Sequence, residues 1–148
     1  AFRTSHDAAS SCGFRVEADG DAVGFMTDTG IVTGEADEAL RDVRILALES
    51  NHDVEWLRSG PYPYSLKQRI LGQRGHLSNE DAAAFARRMA ECGTRCIVLA
   101  HLSRENNTPQ RALAVMETAL SGLDVTVEVA PRGELSACYG AEVALCRK

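Results

Sequence analysis

Two short apolar runs, VRILALE at residues 43–49 and RCIVLA at 95–100, leave this chain few ways to fold. Each has the length of a strand and carries Val and Ile in a nearly continuous apolar stretch. They read as strands buried on both faces, the kind found in parallel sheets with helices between the strands. The surrounding sequence agrees. GFRVEA at 13–18 and AVGFMT at 22–27 flank Asp19-Gly20-Asp21, a hairpin pattern. A helix is expected at 35–41, and Gly60-Pro61-Tyr62-Pro63 breaks the chain before a short helix near 65–74. Ser78 or Asn79 caps a longer helix that runs to about Cys92 and stops at Gly93, with Glu80 and Asp81 in its first turn. Pro109 opens a helix to about Leu120. VTVEVA at 125–130 alternates as a half-exposed strand would, and the weaker pattern of 131–148 allows one final strand. The expected order is β-β-α-β-α-α-β-α-β, an α/β or mixed α+β layered fold. The 148 residues suit one domain, and no internal repeat or linker interrupts them.

Composition excludes several classes. A membrane span needs about 18 apolar residues in a row, and CIVLA at 96–100 is the best run here. The N-terminus has no signal-peptide pattern. Five cysteines, an odd number in a chain with room for a core, fit a reduced cytoplasmic protein. Cys92 and Cys96 lack the second Cys/His pair that a structural zinc site needs. The net charge of −5 is unevenly spread. Residues 1–56 sum to −8, residues 57–79 to +4 with no acid, and residues 80–148 to −1. The basic stretch holds Arg58, Lys67, Arg69 and Arg74 beside Tyr62 and Tyr64. It reads either as a solvated helix face or as a track for a phosphate-rich substrate.

The four histidines, His6, His52, His76 and His101, all fall outside the expected helices. His52 and His101 follow the two buried strands, and Asp28 follows the strand at 22–27 in the same way. Imidazole nitrogens and carboxylate oxygens at strand ends are the usual donors to a catalytic zinc or manganese. Sheet-based sites gather their ligands at that position.

The ordered series of motifs resembles the C-terminal half of a metallo-β-lactamase-fold hydrolase, in particular the YycJ/WalJ-like branch, which is similar to RNase Z. The resemblance rests on Ser5-His6-Asp7-Ala8 before Gly13-Phe14, then Met26-Thr27-Asp28-Thr29-Gly30 and Glu49-Ser50-Asn51-His52-Asp53. It continues through Gly60-Pro61-Tyr62-Pro63-Tyr64, Gly75-His76-Leu77-Ser78-Asn79 and Ala100-His101-Leu102-Ser103 with Asn106-Asn107. Together these span about residues 5–120.

What the resemblance implies is a αββα sandwich of which this chain is the C-terminal portion over 1–148, and two divalent metal ions, zinc or manganese. It implies His6, Asp28 and His101 as metal ligands, with Asp28 bridging, and His76 beside the scissile phosphate. Asp28 and His76 are thus the implied catalytic pair. Asn51, His52 and Asp53 match a branch-specific segment beside the site. With Arg58, Lys67, Arg69 and Arg74 they form the expected substrate-binding set. The implied activity is that of a DNA exonuclease using a metal-activated hydroxide. The family's H-x-H-x-D-H hallmark is absent from the chain. A fragment of a longer protein is therefore expected, inactive alone, needing its missing half or a second copy. The alternatives are a non-catalytic half-domain for assembly or nucleic-acid binding, and a hydrolase of lactams or thioesters on the same fold.

Overall fold

A computed structural model describes residues 1–134. The elements are β1 (Phe2–Arg3), β2 (Cys12–Ala18), β3 (Asp21–Met26), α1 (Gly34–Ala39), β4 (Ile45–Glu49), α2 (Val54–Ser59), α3 (Tyr64–Leu71), α4 (Asn79–Cys92), β5 (Cys96–Ala100), α5 (Pro109–Ala119) and β6 (Thr126–Val129). The α/β class and the expected order hold, with two additions. β1 is two residues long, too short to show alternation. α2 is six residues long and opens on β-branched Val54, a poor helix former. Its start is fixed by Asp53, whose carboxylate accepts from the Trp56 backbone N–H at 2.8 Å. A final strand within 131–148 would fall mostly on residues outside those described.

The caps explain the other boundaries. Ser78 accepts from the Asp81 N–H at the start of α4, and Thr108 from the Arg111 N–H ahead of Pro109 in α5. Gly93, at φ 129°, ends α4 in a conformation that a side chain would strain. In the β2–β3 hairpin Ala18 pairs with Asp21, leaving Asp19 and Gly20 as a two-residue turn at φ 51° and 80°.

The six strands form one sheet in the order β1-β2-β3-β4-β5-β6. The first three are antiparallel, and β3 to β6 are parallel. Parallel crossovers are right-handed, so a strand order that advances one way places every crossover helix on the same side. The core follows from this. Met26, Leu46, Leu48, Ile97 and Leu99 pack with Leu40 beside α1, with Phe85 and Met89 of α4 and with Met116 of α5. Among the described residues β6 is an edge strand, and its Val127 and Val129 pack against this core, so it is half-buried throughout.

The opposite face was expected to be covered as well. There, Ile45, Cys96 and Val98 cluster with Val23 and Ala130, and the cluster contains no helical residue. The same face carries Phe14, Val16 and Phe25, which are 49%, 55% and 45% exposed. Exposed apolar residues clustered on one sheet face mark a candidate interaction surface.

Candidate metal centre at the carboxyl end of the sheet

The parallel register of β3, β4 and β5 brings three chain segments to one end of the sheet. Met26 pairs with Leu48, and Glu49 pairs with Ala100. Asp28, Glu49 and His101 therefore cluster although they are far apart in sequence. Two loops add His6 and His76. A lattice of hydrogen bonds fixes these loops. The Gly30 N–H donates to the Ser5 carbonyl at 2.8 Å, the Ser5 N–H to Thr29 Oγ1 at 3.1 Å, and the Ser5 hydroxyl to the Gln73 carbonyl at 2.8 Å. A Cβ at Gly30 would sit 2.4 Å from the Gly72 oxygen, and one at Gly75 would sit 2.0 Å from the Ile70 oxygen. Only glycine allows the backbones to approach this closely.

Asp28 and His101 are non-glycine residues at φ 55° and 56°. Such conformations cost free energy and persist where the surroundings impose them. Here the Thr29 N–H donates to Glu49 Oε2 at 3.1 Å, holding the Asp28 turn. Asn51 Nδ2 donates to the His101 carbonyl at 2.8 Å, holding the other.

The ring nitrogens have distinct partners. His6 Nδ1 donates to the Gly75 carbonyl at 2.9 Å, and His101 Nδ1 donates to Glu49 Oε1 at 2.7 Å. Each assignment leaves Nε2 with its lone pair. Both Nε2 atoms stand 3.8 Å from the same oxygen, Asp28 Oδ1. The other Asp28 oxygen accepts from the Thr27 hydroxyl at 3.1 Å. His76 Nδ1 also donates to Glu49 Oε1, at 2.7 Å. The His76 ring lies 4.8 Å from that of His6 and 5.2 Å from that of His101, centroid to centroid.

This donor set fits a metal. Zinc–donor bonds are about 2.0–2.1 Å, so two donors on one ion stand roughly 3–4 Å apart. Ligating histidines characteristically donate their other N–H to a carboxylate or carbonyl, which fixes the tautomer. His6 and His101 both do so. Ligand atoms of His6, Asp28 and His76 lie within 4.8 Å of one another, as do those of Glu49, His76 and His101.

Glu49 stands out as the residue absent from the expected site. It is fully buried and accepts from two imidazoles and the Thr29 N–H. Burial pushes its carboxyl up, but the hydrogen bonds from His101 and His76 outweigh this and hold it below the usual range. In return, the hydrogen bond to Glu49 raises the His101 pKa against the effect of burial. The signal in the sequence was an acid at the end of an otherwise apolar buried strand. Behind it, the side chains of Asn79 and Asn107 bond each other reciprocally at 3.1 and 2.8 Å. Asn107 Nδ2 also reaches the Ser50 and Asn51 carbonyls, at 2.9 and 3.1 Å. This buried pair sets the path of the chain after β4.

The expected substrate-binding residues divide. Asn51 and Arg69 line a cleft of about 330 Å³ over the cluster, with Tyr62, Leu66 and Ile70. Arg69 pairs with Asp7 across it, and that hydrogen bond holds the Asp7 carboxyl below its ordinary range. The remaining residues do not line the cleft. His52 is fully buried, and neither ring nitrogen has a hydrogen-bond partner. Burial lowers its pKa to about 4. Asp53 caps α2 and pairs with Arg111 at 2.5 Å. Arg58 pairs with Glu55 at 3.3 Å, and Lys67 donates to the Arg58 and Gly60 carbonyls at 2.7 Å. Arg74 donates to the His6 carbonyl at 3.2 and 3.3 Å.

Comparison with known proteins places the chain in a family. The family described as Beta-lactamase superfamily domain matches residues 1–102. Exodeoxyribonuclease WalJ of Streptococcus pneumoniae (strain D39 / NCTC 7466) is 41% identical over 128 residues, 86% of this chain and 48% of that protein. Exodeoxyribonuclease YycJ of Bacillus anthracis is 40% identical over 111 residues, 75% of this chain and 42% of that protein. The chain thus spans about half the length of the curated relatives it matches. Among solved structures, the metallo-β-lactamase fold protein YhfI from Bacillus subtilis superposes with a TM-score of 0.61 at 16% identity, over 89% of this chain and 46% of that one.

Proposed function

The chain belongs to the β-lactamase superfamily, and on that premise we propose that it is the second half of a metal-dependent phosphodiesterase that removes nucleotides from DNA ends. One observation carries the reading: His6 and His101, anchored through Nδ1 to the Gly75 carbonyl and to Glu49, both turn Nε2 toward one Asp28 oxygen. The names of the relatives support nucleic acid as the substrate.

In this reading His6, Asp28 and His101 hold two divalent ions, zinc or manganese, and ligands from outside this chain complete the set. The ions would supply Lewis acidity and a nucleophile usable at neutral pH. The chain's own residues do the rest. Asp28 offers one oxygen to the cluster while Thr27 steadies the other. Glu49 orients His76 and His101. His76, anchored through Nδ1, has Nε2 available to carry a proton to the departing oxygen. Asn51 and Tyr62 bound the space for the scissile group. The open sheet face is the seat of the other half, which would bring the H-x-H-x-D-H ligands. No described helix is long and apolar enough to cross a membrane, and the thiols of Cys12, Cys92 and Cys96, unpaired among the described residues, suit a cytoplasmic setting.

The test uses end-labelled DNA and metal analysis. In the intact protein, Asp28→Ala is expected to lower bound metal and to cut turnover by at least ~10³-fold, several kcal/mol of transition-state stabilisation. The 148-residue chain alone is expected to turn over no DNA with either zinc or manganese. Robust cleavage by that chain, abolished by Asp28→Ala, would overturn the assignment of the missing ligands to another segment.

A further inference from the structure

We propose that the nucleic-acid strand leaves the metal cluster past His101 into a second cleft, where Arg104 and Arg132 bind its phosphates. The proposal rests on the nuclease reading above and gives it a direction. The second cleft, of about 590 Å³, adjoins the first, since His101 and Leu102 line both. Its other walls are Pro109, Val129, Ala130 and Pro131, with Arg104 and Arg132.

The charges available distinguish the two candidate tracks. All four cations of residues 57–79 are engaged within the fold. Arg58 and Arg69 face carboxylates, while Lys67 and Arg74 donate to backbone carbonyls. The Arg104 side chain is exposed and makes no ion pair among the described residues. Arg132 donates to the Leu102 carbonyl at 2.6 Å, a contact that orients the guanidinium without neutralising it. Glu105 and Glu134 are exposed nearby in sequence, but neither lines the cleft. Two guanidiniums over mainly apolar walls suit phosphates with sugars and bases lying between them. Backbone contacts of this kind give affinity without reading sequence.

The experiment compares two substrates in the intact, metal-loaded protein. A labelled single-stranded oligonucleotide reaches the second cleft, and bis(p-nitrophenyl) phosphate does not. With Arg104→Ala/Arg132→Ala, oligonucleotide kcat/KM is expected to fall about 10- to 100-fold, while the small diester stays within roughly twofold. The salt dependence of oligonucleotide binding should become shallower by about 1 per arginine removed. Arg87→Ala, on α4, should change neither. Equal losses on both substrates, an unchanged oligonucleotide rate or an unchanged salt slope would overturn the proposal. If the unmodified protein cleaves the small diester but no nucleic acid, the nuclease reading fails and this site with it.

Discussion

One face of the sheet buries Leu46, Leu48, Ile97 and Leu99 beneath α1, α4 and α5, while the other leaves Phe14, Val16 and Phe25 about half exposed. Both faces carry apolar residues, so the difference is one of topology. A parallel strand order that advances in one direction places all its right-handed crossovers on one side. The described crossover helices therefore lie over the first face and not the second. Strand alternation puts Glu49 on the same side as Ile45 and Ala47. Glu49, which anchors the His76 and His101 rings, thus shares its side of the sheet with the open surface. A segment that covered that surface would also abut the candidate site, so on the proposed function cover for the sheet and further metal ligands would arrive together.

The covered face should be the more sensitive by far. Leu48→Ala removes a fully buried side chain and leaves a cavity between β4 and the helices. It is expected to cost about 3 kcal/mol, seen as a lower urea midpoint. A loss under about 1 kcal/mol would mean that this face is less well packed than its burial indicates.

The layer behind the site should make stability depend on pH. His52 is neutral in the fold, with a pKa of about 4, and near 6.5 when unfolded. Below pH 6.5 the unfolded state binds the extra proton, so stability falls from about pH 6.5 down to about 4, by up to ~3 kcal/mol. Glu49, held low, adds a loss as pH drops below its usual value. His101, held high, works the other way. Its contribution is full below pH 6.5 and is lost as pH rises. Urea midpoints compared at pH 6.5 and 4.5 should show the decline, and His52→Leu should flatten it. An equally steep decline in His52→Leu would assign the effect to another group.

At the seam between the faces, Glu49→Gln keeps the shape and removes the charge that both imidazoles share. Metal affinity in the intact protein is expected to weaken about 10- to 100-fold, measured by competition with a chelator. Unchanged affinity would reduce Glu49 to a structural filler.

The elements that carry a local pattern were readable in the sequence. The two buried strands, the Asp19-Gly20 turn, the Ser78 cap and Pro109 each act within a few residues of themselves. Asp28 and His101 were readable as candidates because each follows a strand. Glu49 was not, since its partners His76 and His101 lie 27 and 52 residues away. His52 and Arg74 carry the chemistry of site residues, yet their surroundings turn one into a buried ring and the other into a brace for the His6 loop. A charged run reports composition and not which charges remain unpaired. Residues 57–79 show the gap.

The smallest effect is also the most discriminating. Phe25→Ser removes an aromatic ring that is 45% exposed in this chain, so the isolated chain should lose less than about 0.5 kcal/mol, in the range of surface substitutions. If another segment covers the open face in the intact protein, the same ring becomes core there, and the substitution should cost about 3 kcal/mol or more. The informative quantity is the difference between the two losses, read from urea midpoints of both forms. A large difference would place Phe25, paired with Ala47 on the side of the sheet that carries Glu49, in a buried interface where the proposed function has further metal ligands arrive. Equal small losses would show that the face stays open in the intact protein, and the two sides of the sheet would then differ in function as well as in cover.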